Sequence, residues 1–258
     1  MKIIAVMSPK GGIGKTTTAD SVAYILGTEY KKRVLIIDGD PQGDTSKTFG
    51  VYDPDGIGLS ELLEHHADDG EVYSISELIQ TTRYENIDII PGNGYLMQTD
   101  MMLLMRNEDE NRIMRLRDAL IEVSGAYDYC ICDCGRLFDM VVVNILMAAS
   151  LIIAPVKIGG YENEALRILQ EQTEDMKEYN LGMEIKVIMT MRQKNKTSLE
   201  MESWLHEEYG QQMFKTSIRR SIAAEKASMM MIPLPEFSKR GTAAQDYSSM
   251  VREIIEEA

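Results

Sequence analysis

The stretch KIIAVMSPKGGIGKTTTAD, residues 2–20, decides how the fold is read. An apolar run of strand length, Lys2 to Met7, enters a glycine-rich loop, and a helical pattern opens at Lys15. Strand, loop and helix in that order form the context of a phosphate-binding loop. Gly11, Gly12 and Gly14, with Ile13 among them, let the backbone approach an anion and turn its N–H groups inward. The helix that begins at Lys15 adds its N-terminal donors and the positive end of its dipole. Lys15 would reach the β- and γ-phosphates of a nucleotide, and Thr16, followed by Thr17, would hold Mg²⁺ through its hydroxyl. The dinucleotide alternative, G-x-G-x-x-G, fails because Thr17 stands where its third glycine belongs. One irregularity remains. The usual phosphate loop has a glycine five places before Gly14, where this chain has Pro9, and a second lysine, Lys10, follows it.

Two acidic clusters fit a metal–nucleotide site. LIIDGDPQGD closes a second apolar run with Asp38 and Asp40, then turns through Pro41 and Gly43 to Asp44. YCICD is an apolar strand ending in Asp133, the form of a Walker B motif, whose carboxylate holds Mg²⁺ directly or through water. Carboxyl ends of strands are where open parallel sheets place their ligands. The three cysteines, Cys130, Cys132 and Cys134, alternate along this strand and therefore point to one face. Neighbours on one strand are badly placed to bridge, so buried, reduced thiols are expected, as in a cytoplasmic protein.

Further apolar runs at 33–38, 86–91, 127–133, 150–156 and 184–191 are continuous rather than alternating, as strands buried on both faces should be. Helical patterns lie between them, at 14–30, 112–125, 140–149, 162–180 and 197–210. The expected fold is α/β: a mostly parallel twisted sheet with helices on both faces. The 258 residues hold no Pro/Ser linker, repeat or low-complexity tract, so 1–258 is expected to form one P-loop domain. Residues 53–80 are acidic and turn-rich and suit a mobile surface excursion; His65 and His66 within it are expected to be exposed and without function. The 19 methionines suit adaptable core packing, and the run Met229–Met231 suits a subunit contact.

Composition excludes several classes. The formal net charge is −14, from 27 basic and 41 acidic residues, so nucleic acid or anionic lipid would need a local basic patch. No apolar run approaches 18 residues, and the N-terminus leads a strand into a site rather than forming a signal peptide.

Together these segments resemble the ParA/Soj/MinD group of deviant Walker A ATPases, nearest to the ParA/Soj partition proteins. PKGGIGKTT is similar to that group's KGGxGKT[ST] loop, LIIDGDPQGD to its DxDPQGN segment and YDYCICDC to its YDYIIIDCPP segment. IIAPVKIGGYENEALRIL and the run from IRRSIAAEKAS to KRGTAAQDY resemble its later motifs. The resemblance implies ATP and Mg²⁺ as cofactors, slow and partner-stimulated hydrolysis, and a nucleotide-sandwich homodimer. Lys10 would then reach across to the partner's ATP phosphates, Asp40 would position the attacking water, and Asp38 and Asp133 would lie near the metal. It also implies non-specific DNA as a partner of the ATP form, a ParB-like stimulating protein, and a cytoplasmic location on the nucleoid. Candidate DNA contacts are Arg192, Lys194 and Lys196 in MRQKNKTS, and Arg219 and Arg220 in SIRRS.

The chain departs from the group at Asp44, usually Asn; at Gly135–Arg136, usually two prolines; and at Ala223, often arginine. A MinD-type membrane role needs a basic amphipathic C-terminal helix, and QDYSSMVREIIEEA is acidic. An iron-protein role needs cysteines from two segments, and only one segment has them. A small-molecule ligase on the same fold stays open, as does an ATP-binding positioning scaffold with weak hydrolysis and no DNA role.

Overall fold

The computed structural model describes residues 1–64, 73–105, 110–159 and 162–257. Its strands are β1 (Lys2–Val6), β2 (Val34–Gly39), β3 (Gln80–Thr81), β4 (Ile87–Ile90), β5 (Tyr129–Cys134), β6 (Leu151–Val156) and β7 (Glu184–Met189). They form one seven-stranded sheet in the order β3-β4-β2-β5-β1-β6-β7. Every neighbouring pair is parallel except β3–β4. The sequence predicts the six parallel strands to within two residues at each end. It misses the antiparallel edge strand β3, a two-residue polar segment with no apolar run to announce it.

The helices are α1 (Lys15–Tyr24), α2 (Asp44–Phe49), α3 (Leu59–Glu64), α4 (Ile75–Leu78), α5 (Leu96–Met105) and α6 (Arg115–Val123). They continue with α7 (Met140–Ala148), α8 (Glu162–Glu174), α9 (Lys196–Tyr209), α10 (Ile222–Met229), α11 (Leu234–Phe237) and α12 (Thr242–Glu256). The segment expected as one helix over 14–30 divides: α1 ends at Tyr24, and Ile25–Glu29 continues as a π-helical turn.

Alternation along the strands divides the apolar residues into two cores, one on each sheet face. Ala5, Met7, Leu35, Ile37 and all three cysteines enter one core. Ile4, Val6, Val34, Ile36 and Ile131 enter the other, which also holds the apolar sides of α1 and α12. The cysteines thus share one face, fully buried and unbridged. In α12 the buried residues Ala243, Tyr247, Met250, Val251 and Ile254 follow helical spacing, and Tyr247 Oη lies 3.0 Å from Thr18 Oγ1 of α1. The apolar side of this acidic helix is therefore spent on the core. Among the described residues no helix is long and apolar enough to cross a membrane.

The excursion expected at 53–80 needs correction where it is described. Leu59, Leu62 and Leu63 recur at helical spacing and are buried, as are Ile75 and Leu78. The segment is tied to the end of β4: Leu59 N donates to Pro91 O at 3.0 Å, and Asn93 Nδ2 donates to Gly56 O at 2.9 Å and Ser60 Oγ at 2.7 Å. His65 and His66 lie outside the described residues. Met229, Met230 and Met231 are all exposed on the single chain.

Gly58 is the tightest point of this clamp, because a Cβ there would stand 2.2 Å from the Pro91 carbonyl oxygen. Backbone cannot yield as a flexible side chain does. Gly58→Ala is expected to cost about 1–3 kcal/mol in chemical denaturation, the usual range for overpacking. An unchanged unfolding midpoint would mean that residues 56–64 are not held against the sheet.

Candidate functional site

Strand register assembles the site. Val6 of β1 pairs with Asp133 of β5, and Asp133 pairs with Asp38 of β2. One row across three adjacent strands therefore delivers the start of the glycine-rich loop and two carboxyl groups to the same end of the sheet. β1 lies between β5 and β6, so its loop opens where consecutive connections diverge to opposite sides, the usual ligand position in such sheets.

Gly12 and Gly14 have φ of 66° and 92°, which side chains rarely adopt, and a Cβ on Gly11, Gly12 or Gly14 would meet nothing within 4 Å. The space in front of the loop is open. Gly14 caps α1 without a side-chain acceptor, leaving the first-turn N–H groups for an anion. The carbonyls of the loop are engaged elsewhere: Lys15 Nζ donates to Lys10 O at 3.2 Å, Lys157 Nζ to Gly12 O at 3.1 Å and Thr190 Oγ1 to Ile13 O at 2.8 Å. These are the oxygens that would otherwise repel a phosphate. Burial lowers the pKa of Lys15, against the nearby charges of Asp133 and Asp40. Lys10 is half-buried at the start of the same loop.

The carboxyl groups are unusually deep. Asp38 and Asp133 are fully buried. Asp38 Oδ2 accepts from Ser46 N at 2.8 Å and Ser46 Oγ at 2.6 Å, and Asp38 Oδ1 from Asp40 N at 3.2 Å. Asp133 Oδ2 lies 2.9 Å from Thr45 Oγ1, and Thr16 also hydrogen-bonds to Asp133. Desolvation drives both carboxyls above the usual carboxylate range; the Asp38 charge adds to the shift at Asp133. Asp133 Oδ1 is buried with no hydrogen-bond partner. A divalent cation beside Thr16 would relieve both the orphaned oxygen and the like-charge crowding. Among the described residues no group of three His, Cys, Asp or Glu side chains is arranged to hold a metal alone. The residues fit an ion that shares its shell with Thr16, water and phosphate oxygens, as Mg²⁺ does.

Asp40 stands half-buried at the mouth, its Oδ1 accepting from Gln42 N at 2.9 Å in a turn closed by Gly43 N to Asp40 O at 2.9 Å. Gly43 has φ 62°, and a Cβ there would fall 2.1 Å from the Tyr52 ring. Asp44 begins α2, exposed and 3.0 Å from Lys47 Nζ. Arg136 is exposed in the turn after β5, close enough for its charge to oppose protonation of Lys15.

Beside the loop a cleft of about 360 Å³ is lined by Ile13, Gly14, Thr17, Arg220, Ser221 and Tyr247, enough room for a base and ribose. A larger groove, about 1030 Å³, lies around Glu184 at the other end of β7 and is not part of this site.

The candidate DNA contacts converge through an isolated parallel bridge between Arg192 and Arg219. Two of them are occupied within the chain. Arg219 makes a forked ion pair with Asp246, at 2.6 and 2.8 Å, and Arg192 Nε donates to Glu202 at 2.7 Å. Lys194 is exposed, Lys196 is exposed 3.4 Å from Glu200, and Arg220 is exposed 4.0 Å from Glu225. The structure also brings in residues that sequence reasoning missed: Asp20, Thr45, Ser46, Lys157 and Thr190. For Asp20 no local signal existed, because α1 reads KTTTADSVAY with no apolar run around the carboxyl.

The family model described as an AAA domain, AAA_31, matches residues 1–187. The chain is 29% identical over 257 residues to the sporulation initiation inhibitor protein Soj of Bacillus subtilis (strain 168), covering 98% of each. Among solved structures it is similar to apo McdA of Cyanothece, with TM-score 0.84, 23% identity and 99% of each chain covered. It is similar also to cobyrinic acid a,c-diamide synthase of Mycobacterium smegmatis with bound ADP and magnesium: TM-score 0.83, 24% identity, covering 100% of this chain and 95% of that one. The chain belongs to the AAA domain family, and within it to the ParA/Soj type.

Proposed function

We propose that this protein is a Mg²⁺-dependent ATPase that dimerises around ATP and serves in the partition or positioning of a cargo. The observation that carries the reading is a phosphate loop that holds two lysines, Lys10 and Lys15. Lys15 is tied into its own loop through the Lys10 carbonyl. Lys10, half-buried at the start of the loop, would serve a second subunit's triphosphate. A cation supplied in trans makes ATP stabilise the dimer and makes the dimer complete the site. Asp40, at the mouth and joined through its backbone N–H to Asp38, would orient the attacking water. Thr16 and Asp133, with Asp38 nearby, would hold Mg²⁺, which would offset the charge of the triphosphate. The bound ADP and magnesium of the similar synthase support this choice of cofactors.

Non-specific DNA is the surface on which the ATP dimer would be retained, and a stimulating protein of ParB type would release it. Lys194, Lys196 and Arg220 are the exposed cations available for phosphate contacts. A second reading, positioning through protein contacts without DNA, is favoured by the internal pairing of Arg192 and Arg219.

Retention on DNA with ATP against ADP, over a salt series, separates the two readings. Three phosphate contacts from each subunit of a dimer imply that log K falls by about 5 per decade of salt. Binding with ATP alone and a slope of that order supports the DNA role. No ATP-dependent retention at low salt would leave the protein-contact reading. For Lys10→Ala the expectation is near-normal ATP affinity, within about threefold, and loss of the ATP-induced dimer in analytical ultracentrifugation. A variant that still dimerises with ATP would remove Lys10 from the cross-subunit role.

A further inference from the structure

Asp20 is a carboxyl group with no evident reason to be where it is. It lies on the buried side of α1 among Thr18, Ala19, Ser21, Val22 and Ala23, and only 5% of it is exposed. Among the described residues no cation pairs with it, although burying a carboxyl group without a cation is unfavourable. An apolar side chain of similar size would be the cheaper filling. What Asp20 touches is specific: the hydroxyls of Thr45 and, one turn on in α2, Thr48. Thr45 Oγ1 lies 2.9 Å from Asp20 Oδ1 and 2.9 Å from Asp133 Oδ2, so one hydroxyl joins a carboxyl from α1 to a carboxyl from the end of β5.

That hydroxyl has one hydrogen and two lone pairs. Donating its hydrogen to Asp133, it is left with acceptor capacity, and its second partner is best a donor. Thr45 is the second residue of α2. The next residue, Ser46, gives its N–H and its hydroxyl to Asp38. The first turn of α2 is therefore pinned at two adjacent positions to the two carboxyls of the metal row. Asp20 is the third anchor, and it comes from the helix whose N-terminus would receive the phosphates.

We propose that Asp20 is a positioning residue that holds the Thr45 hydroxyl on Asp133, and thereby fixes both the first turn of α2 and the rotamer of Asp133 for the arriving metal. The inference rests on the Mg²⁺–nucleotide reading of the site. It assigns Asp20 no contact with the metal or the phosphates. Asp133 Oδ1, the oxygen without a partner, stays available because Oδ2 is held by Thr45. Partners that orient a metal-binding side chain typically alter metal affinity 10- to 100-fold when removed, roughly.

Three variants test this. Asp20→Val fills the volume and removes the contact. Asp20→Asn keeps an acceptor and adds a donor that Thr45 can accept. Thr45→Val removes the hydroxyl and leaves Asp20 in place. The first measurement is the Mg²⁺ concentration for half-maximal binding of a fluorescent ATP analogue. The second is amide hydrogen exchange over residues 44–49 without nucleotide. Asp20→Val and Thr45→Val are expected to raise the Mg²⁺ requirement roughly 10- to 100-fold. Both should speed exchange in α2 about tenfold or more, with exchange in α12 unchanged. Asp20→Asn is expected to stay within about threefold of wild type on both readouts.

Wild-type values for Asp20→Val would overturn the proposal. So would an Asp20→Asn variant as impaired as Asp20→Val, because the charge rather than the hold on Thr45 would then matter. Should Asp20→Val fail to fold, Asp20→Ala takes its place, with the same losses expected on both readouts and wild-type values again overturning the proposal. If wild-type protein binds no Mg²⁺–ATP analogue, the nucleotide reading itself falls, and the exchange comparison still decides the role of Asp20.

Discussion

The register of three parallel strands is the constraint from which the site follows. Because Val6, Asp133 and Asp38 share one row, the chain leaving β1 enters the glycine-rich loop beside two carboxyl groups that neither strand can withdraw. A slip of one residue in β5 would exchange Asp133 for a cysteine and turn the carboxyl to the opposite face. The two cores prevent that slip. Ile131 packs on the side of α1, while Cys130, Cys132 and Cys134 pack on the side of α7. Hydrophobic packing on both faces thus sets the position of groups that are electrostatically unfavourable where they stand.

That unfavourable electrostatics is the chemical resource of the site. Asp20, Asp38 and Asp133 are buried together, and burial pushes each above the ordinary carboxylate range. Hydrogen bonds from Thr45, Ser46 and the Asp40 amide offset part of the cost. A metal bound by ATP would offset more, so binding and ordering of α2 are expected to be coupled. The same helix is held at its other end, where Arg83 Nη2 donates to Thr48 O and to Met231 O, each at 3.0 Å. The loop after α10 therefore rests against the element nearest the carboxyls. With a net charge of −14 the protein as a whole repels nucleic acid, so any DNA role depends on the small group of cations around Lys194 and Arg220.

Much of this was legible in the residues, for identifiable reasons. The phosphate loop could be read because only glycine tolerates the backbone at positions 12 and 14. The parallel strands could be read because burial on both faces leaves an unbroken apolar run. The edge strand β3 carries no such signal. Residues 59–63 were misjudged because acidic neighbours mask three leucines at helical spacing. Asp20 was invisible as a site residue because a charged residue in a helix ordinarily marks the solvent side, and its partners lie far along the chain. The pairing of Arg219 with Asp246 depends on where α12 docks, which no local pattern reveals.

On the proposed function each nucleotide site is built from two subunits, with Lys10 supplied in trans. Mixing two inactive variants separates supply in trans from supply in cis. Lys10→Ala lacks the donated cation, and Asp40→Ala lacks the group that orients water. In a mixed dimer the Lys10→Ala subunit keeps its own Asp40 and receives Lys10 from its partner, so one complete site is restored. ATP turnover, absent from either variant alone, is expected to return on mixing, to at most about half of wild type, because each mixed dimer carries one complete site of two. A mixture that stays inactive while forming mixed dimers would contradict it, because Lys10 would then act only within its own subunit.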